Sequence, residues 1–389
     1  MKKILARNTL VLVQQESAYG QPEGGIDTPS GAVLEVFNLS ISPNVDTIKR
    51  NPYRPTLSPV APLPAKRYSE ISFYAEVKGS GDPTNPIPQG IDLLLKACGF
   101  KAQNYTYSEA TDTFNGDGST TEFTLNNPIL PYTEKVSVVD SNGNPLVIPY
   151  QMDYENKKVI FSSPPPDQST ITVAYKKTTD NGNTAVLFTP TTQNIGSVTF
   201  FVLLDGLLYR IVGARGNLTF SLTANEPGKL QFKFQGLYVD PIEYNMDNLS
   251  CSEGIIPPLV KNLDFTLDRI YKPSLSEFEL DMNNELVQRE DLNAPEGVGD
   301  ISINGRNPEG RMNPDLMLPS EYNIWEKLSH MDTLEIKGTI GRETAKTIHF
   351  AIPKAVFTSL ELGEREGVRV ANIKFGVTGC DDEFWLYYF

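Results

Sequence analysis

The sequence predicts a β-rich α+β chain: two tandem β-sandwich or barrel units, each with one flanking helix, and a small all-β domain inserted into the first. Three observations predict it. The 29 prolines and 29 glycines separate short runs rich in Thr, Val, Tyr and Phe, a composition of strands and turns rather than long helices. A short helical pattern occurs twice, as IDLLLKACGF at 91–100 and YNIWEKLSHM at 322–331; the offset of 231 sets Leu93, Leu94 and Lys96 against Ile324, Trp325 and Lys327. A strand pattern with a Gly-containing hairpin turn also recurs, LYRIVGARGNLTFSLTANEPGKLQFKFQGLY at 208–238 against HFAIPKAVFTSLELGEREGVRVANIKFGVTG at 349–379, but at an offset of only 141. The first half must therefore hold 90 more residues than the second between its helix and its last strands.

Taken in order, MKKILARNTLVLVQQES reads as a first strand and not a signal peptide, because Arg7 and Asn8 interrupt the apolar run. The alternation of Ile71, Phe73, Ala75 and Val77 reads as a strand, followed by a Gly/Pro-rich loop and the first helix, which should cover one apolar face of a sheet. Residues 104–183 form a self-contained period-2 pattern (TEFTL, EKVSVV, LVIPY, KKVIF, TITVAY) broken by NGNP and PPPDQ, enough for a small β-sandwich or barrel. Its flanks, QNYTYSEATD and KKTTDNGN, read as linkers, the kind of connection that tolerates insertion. The expected organisation is one unit at 8–103 with 184–256, the insert at 104–183, and a second unit at 257–380, where Ile301 and Ile303 precede the second helix.

Composition excludes several functions. With 389 residues and 39% hydrophobic content the chain is long and apolar enough for a sizeable core. A net charge of −14 without a Lys/Arg run longer than two argues against gripping phosphates. The three cysteines, Cys98, Cys251 and Cys380, have no C-x-x-C spacing, which speaks against a disulfide framework or zinc site and for a reducing compartment. No apolar run is long enough to span a membrane, and the N-x-S/T matches at Asn38, Asn104, Asn217 and Asn248 carry no meaning in an unsecreted chain. His330 and His349 stand alone, without a metal-ligand or triad context. NGDGSTTE at 115–122 lacks EF-hand spacing and reads as a turn, and GARGN at 213–217 lacks Walker spacing and reads as a connection between strands. Glu361 with Glu364, and Asp381 with Asp382, are weak acid/base pairs. No catalytic residue, metal site or cofactor is expected, and the chain is read as not an enzyme.

One stretch asks for a role. KRNPYRPTLSPVAPLPAKR at 49–67 is basic and proline-rich in an acidic protein; its prolines cannot donate to a sheet, so it should project as an extended loop or arm, either a floppy loop or, as is common for long loops in compact domains, a functional arm that reaches an acidic neighbouring subunit. The candidate contacts on it are Arg50, Asn51, Tyr53, Arg54 and Arg67. The matching connection of the second unit, NNELVQREDLNAPEGVG at 283–299, reads as a long loop whose Glu285, Glu290 and Asp291 answer the basic residues.

LVLVQQESAYGQPEGG, NLSISP, the arm after DTIKR, FYAEVKGSG, LLKACGF, LYRIVGARGNLTFSL and FKFQGLYVDP together, in order and spacing, resemble the major tail tube protein of long-tailed bacteriophages (siphoviruses), in the subgroup with two fused tube domains. The likeness covers nearly all of 1–380 except 104–183, which looks like an Ig-like decoration domain. The resemblance implies a structural virion protein, made in the host bacterial cytoplasm, whose homotrimeric, pseudo-hexameric rings self-assemble into a hollow tube for DNA ejection. It implies inner strands joined between subunits, the arm locking rings together, and contacts with tape measure, tail terminator and distal tail proteins, with no membrane partner. DNA would pass without specific binding, which suits the acidity: the insert carries 10 acidic and 5 basic residues, so the remainder keeps −9 of the −14. The competing reading is a multi-domain β adhesin or baseplate-type component whose insert binds a host-surface glycan, although Tyr150 and Tyr154 are few for a sugar platform. A secreted glycosidase would need a signal peptide and a carboxylate pair in a cleft.

Overall fold

The structure, a computed structural model, describes residues 8–245 and 254–389. Cys251, the Asn248 match, the first seven residues and most of the expected end of the first unit lie outside the described residues. The chain is β-rich, as expected. It opens with β1 (Thr9–Ala18), β2 (Gln21–Pro22), β3 (Ala32–Leu34), β4 (Phe37–Ile48) and β5 (Leu63–Glu76), followed by α1 (Ile91–Ala97). Then come β6 (Phe100–Asn115), β7 (Glu122–Thr124), β8 (Lys135–Val139), β9 (Pro145–Leu146), β10 (Tyr150–Asp153), β11 (Lys158–Phe161), β12 (Thr170–Thr178) and β13 (Asn183–Pro190). β14 (Val198–Leu204), β15 (Leu207–Thr223) and β16 (Lys229–Glu243) close the first half. The second half holds β17 (Thr266–Leu267), β18 (Leu275–Asp281), β19 (Asn284–Glu290), β20 (Val298–Arg306), β21 (Glu309–Pro314), α2 (Ile324–His330), β22 (Thr333–Ile340), β23 (Ile348–Arg365), β24 (Val368–Val377) and β25 (Trp385–Tyr388).

The two halves share one antiparallel strand order. In the first, β1 pairs with β14, then β15, β16, β5 and β4 follow across the sheet. In the second, β17 pairs with β22, then β23, β24, β21 and β18 follow. Even the irregularities match: β4 and β18 slip register against their neighbours between Phe37 and Ser40 and between Leu275 and Phe278. The long strands β15 and β23 both slip register at mid-length against the strand that follows them, at Val212/Arg215 and Phe357/Ser359. Such bulges add local twist to a strand too long to stay flat.

In chain order each helix lies between the third and fourth matched strands of its half, α1 between β5 and β14 and α2 between β21 and β22. α1 buries Ile91, Leu94, Leu95 and Ala97 against the core. Its N-cap, Gly90, sits at φ +80°, and a Cβ there would come within 2.6 Å of Leu34, so the position needs glycine on both counts. α2 starts at Asn323, whose side-chain oxygen accepts from the Glu326 N–H, satisfying one helix-start donor, while its amide nitrogen donates to the Glu326 carboxylate. Only Ile324 of α2 is fully buried, and Lys327 ties the helix to Asp268 at 2.9 Å.

A continuous core joins the halves, from Phe73, Phe200, Phe232 and Phe234 to Phe278, Phe350, Phe357 and Phe375. The inserted region has its own core of Phe123, Leu125, Val159, Phe161, Ile171, Val173 and Tyr175.

Four readings need correction. The flanks of the insert are strands: β6 runs without a break from the host into the insert, pairing with β13 up to Tyr107 and with β12 beyond it. Tyr105 and Tyr107, two apart on β6, share one face of the ladder, and Tyr107 is buried there. GARGN lies inside β15 at its bulge, with Gly213 at φ +62° and the Tyr19 ring within 2.5 Å of where a Cβ would be. The 283–299 stretch is not one long loop: it holds β19, a turn and the start of β20, with Leu286 opposite Ile303 and Gln288 opposite Ile301. Residues beyond 380, assigned to no unit, form β25, which bridges β13 and β23.

Candidate assembly surface

The arm begins where pairing of β4 with β5 ends, at Ile48 opposite Leu63. Residues 63–67, expected in the arm, belong to β5; only 49–62 are free of strand, since Pro52, Pro55, Pro59 and Pro62 offer no N–H. Tyr53 and Leu57 project fully into solvent, at 108% and 106% relative exposure. Val45, Ile48 and Leu63 at the base are each about half exposed, so apolar side chains are presented to solvent both on the arm and at its root. Arg50 lies 3.5 Å from the Ala61 carbonyl within the arm, while Lys49, Arg50 and Arg54 meet no carboxylate among the described residues. Asn51 is exposed beside them.

Arg67 is placed differently from the expectation that it reaches another subunit. Its guanidinium grips both oxygens of Glu296, with Nη2 to Oε1 at 2.7 Å, and stacks over the Tyr238 ring at 5.0 Å. The Glu296 bond holds Arg67 above the usual arginine range. The Arg67 N–H also donates to the Glu296 carbonyl, so the turn of β19–β20 is seated on β5 within one chain. Lys66 adds Glu290 at 3.6 Å. Of the acidic trio, Glu290 therefore answers a basic residue of the same chain, Asp291 caps its own turn by accepting from the Asn293 N–H at 2.8 Å, and Glu285 is exposed. Glu296, which makes the strongest of these contacts, was not singled out in the sequence; its separation from Arg67 by 229 residues leaves no local signal.

β4 itself is the second feature. Among the described residues its one partner is β5, so one edge of a 12-residue strand is open. An edge of this length invites pairing with another strand.

No family model matches this chain, and no curated protein does.

The third feature is the seat of the insert. Glu134 of the insert is almost fully buried, with the Lys337 ammonium at 2.7 Å from its carboxylate and the Arg269 Nε at 3.6 Å. Glu335 completes the set, 2.5 Å from Arg269 and 3.5 Å from Lys337. The Tyr154 hydroxyl donates to Glu134 at 3.2 Å and accepts from the Tyr132 N–H at 3.0 Å. Two anions and two cations thus balance in a buried interface. Burial alone would push Lys337 down, but the carboxylates of Glu134 and Glu335 outweigh it and hold the ammonium above the usual lysine range. Tyr150 and Tyr154, the tyrosines weighed as a sugar platform, both turn into this seat; burial pushes Tyr150 up to about 12. The insert's own Lys135 adds Asp264 of the second half at 2.5 Å. None of this was legible in advance, because Glu134 and Lys337 are separated by 203 residues.

The remaining candidates have structural duties. Asp117 accepts from the Ser119 and Thr120 N–H groups, an Asx turn entering β7. Asp381 binds Thr192 and Arg306, and Asp382 lies 3.5 Å from Lys354. His330 is exposed at the end of α2, and Glu361 and Glu364 face solvent on β23. His349 is buried with Nδ1 2.9 Å from the Thr339 hydroxyl; burial, then the nearby Lys337, Lys135 and Lys176 cations, press it down to about 3.

Proposed function

We propose that this chain is a structural, self-assembling subunit of a phage tail tube, polymerising as stacked homotrimeric rings around a DNA conduit. The observation that carries the reading is the open edge of β4 leading directly into the exposed arm. Among the described residues neither finds a partner strand or carboxylate within the chain, and both are parts of one hairpin. A long unpaired edge is an aggregation hazard unless another copy pairs it, and closed rotational assembly consumes such edges without leaving one over. The doubled strand order supports two tube units per chain, and hence pseudo-sixfold symmetry from three copies. The basic, apolar arm suits stacking onto an acidic neighbouring ring, with Arg50, Asn51, Tyr53 and Arg54 as its contacts, and an acidic tube wall would let DNA slide. Glycan recognition by the insert loses support, because its tyrosines are committed to the seat.

Negative-stain electron microscopy of the concentrated, purified protein tests the proposal. Stacked rings or hollow tubes with threefold or pseudo-sixfold end views are expected; monomers that persist through long incubation and seeding would refute it.

A further inference from the structure

The halves of one chain meet at a seam in which Thr219–Thr223 of β15 run antiparallel to Glu277–Asp281 of β18, with Phe220 opposite Leu280. Phe220 is fully buried there, its ring 5.1 Å from Phe350, 5.6 Å from Phe384 and 6.4 Å from Phe278. The shared strand order lets each residue of the seam be matched to its counterpart in the other half. The ladders set Phe234 opposite Ile71 and Gly216, and Phe375 opposite Gly310 and Phe357. Followed outward in the same register, Leu280 corresponds to Ile41, and Phe278 to Leu39. Phe350 corresponds to Tyr209, each being the second strand's partner of a matched β14 or β22 residue.

Among the described residues these counterparts do not form a filled nest. Leu39, Ile41 and Tyr209 line an open cleft of about 1340 Å³ beneath β4. The counterpart of Phe220 is also displaced from any core: it is Leu362, two residues beyond Leu360 as Phe220 is two beyond Leu218, and it is 59% exposed. Around it, residues 359–365 pair with β24 on one edge and, among the described residues, with nothing on the other. Among the described residues one half of the chain thus has the nest without the plug, and the other has the plug without the nest.

We infer that the seam is repeated between copies: β4 of one chain pairs antiparallel with residues 361–365 of β23 of a second copy, and Leu362 of that copy enters the cleft. The register places Ser42 opposite Glu361, Ile41 opposite Leu362 and Ser40 opposite Gly363. Polar chemistry agrees with this register. In the intrachain seam the Thr219 hydroxyl donates to Asp281 at 2.8 Å; at the matched positions hydroxyl and carboxylate exchange sides, as Ser42 and Glu361, and the same bond can form. The inference rests on the self-assembly reading and specifies which surfaces of the chain carry it.

The test uses the full chain with Cys251→Ser and Cys380→Ser, leaving the buried Cys98. Directly opposed residues of an antiparallel pair have Cα atoms within disulfide range. A chain carrying Ile41→Cys and Leu362→Cys should, after assembly and mild oxidation, give covalently linked multimers, whereas Ile41→Cys with Arg365→Cys should not. Leu362→Arg should stay folded by circular dichroism and need at least tenfold more protein to associate in sedimentation velocity. Rings that form without the Ile41–Leu362 link, or with Leu362→Arg unimpaired, overturn the seam while leaving self-assembly standing. Failure of the parent chain to associate at any concentration overturns both. Protection of Ile41→Cys from a thiol reagent in dilute monomer would mean that the chain covers its own cleft, which also overturns the seam.

Discussion

Glu134→Gln tests the insert's seat most sharply. The carboxylate is 1% exposed and faces Lys337 at 2.7 Å, so the substitution keeps shape and removes one of two anions from a balanced buried quartet. Lys337 and Arg269 then share Glu335 alone. Breaking a buried pair at one partner typically destabilises by about 3–5 kcal/mol, and the amide retains an oxygen for the ammonium, so about 3 kcal/mol is expected. Lys337→Met should act with similar size and opposite residual charge. Because each variant strands the other's partner, the double variant should be at least ~2 kcal/mol less destabilised than the sum of the two. The reporter is at hand: Trp385 packs edge-on against Tyr132 at 5.1 Å, beside the seat, and Trp325 on α2 can be changed to Phe to leave it alone. Denaturant titration of Trp385 fluorescence reads local release of the insert, which is the quantity wanted in a chain with separate cores. A Glu134→Gln shift below about 0.5 kcal/mol, or strict additivity with Lys337→Met, would refute the view that this quartet is a coupled, buried network.

Three further outcomes are expected. Tyr53→Ala with Arg54→Ala should leave monomer stability within about 0.5 kcal/mol, since both side chains project from the arm, yet should shorten or abolish stacks in electron micrographs; unchanged stacks would remove the arm from assembly. Deleting 104–183 should preserve ring formation, because neither β4 nor the end of β23 is touched, but should lower the melting temperature by exposing Tyr387 and Phe389 and stranding Lys337; loss of rings in soluble, folded deletion protein would show the insert to be part of the assembly. His349 should produce an acid limb. Its folded value of about 3 lies below the ordinary 6.5, so the unfolded chain binds the extra proton and the stabilisation is complete above about pH 6.5 and lost as pH falls toward 3. His349→Leu should flatten that limb in pH-dependent unfolding, and an unchanged limb would assign it to other groups.

Much of the architecture was legible because it was written twice. The apolar patterns around Leu93 and Ile324 marked both helices, and Phe232-Lys233-Phe234 against Ile373-Lys374-Phe375 marked matched strands, since period and register are local properties of a chain. The arm was visible from its prolines, which forbid pairing whatever surrounds them. The insert's edges were misread because polar, Thr-rich strands such as 103–112 resemble linkers until a partner strand is present.

The sequence alone therefore determined the strand-rich class, the two helices and the projecting arm, all of which follow from backbone chemistry and short-range periodicity. Only the tertiary structure decided which charges meet. Arg67 pairs with Glu296, Lys337 with Glu134, and Phe220 fills the second half's nest while Leu362 is left exposed. Side-chain partnership at these separations depends on strand order and register across the sheet, and a single side chain reveals its role only once the cavity it fills or leaves open can be seen.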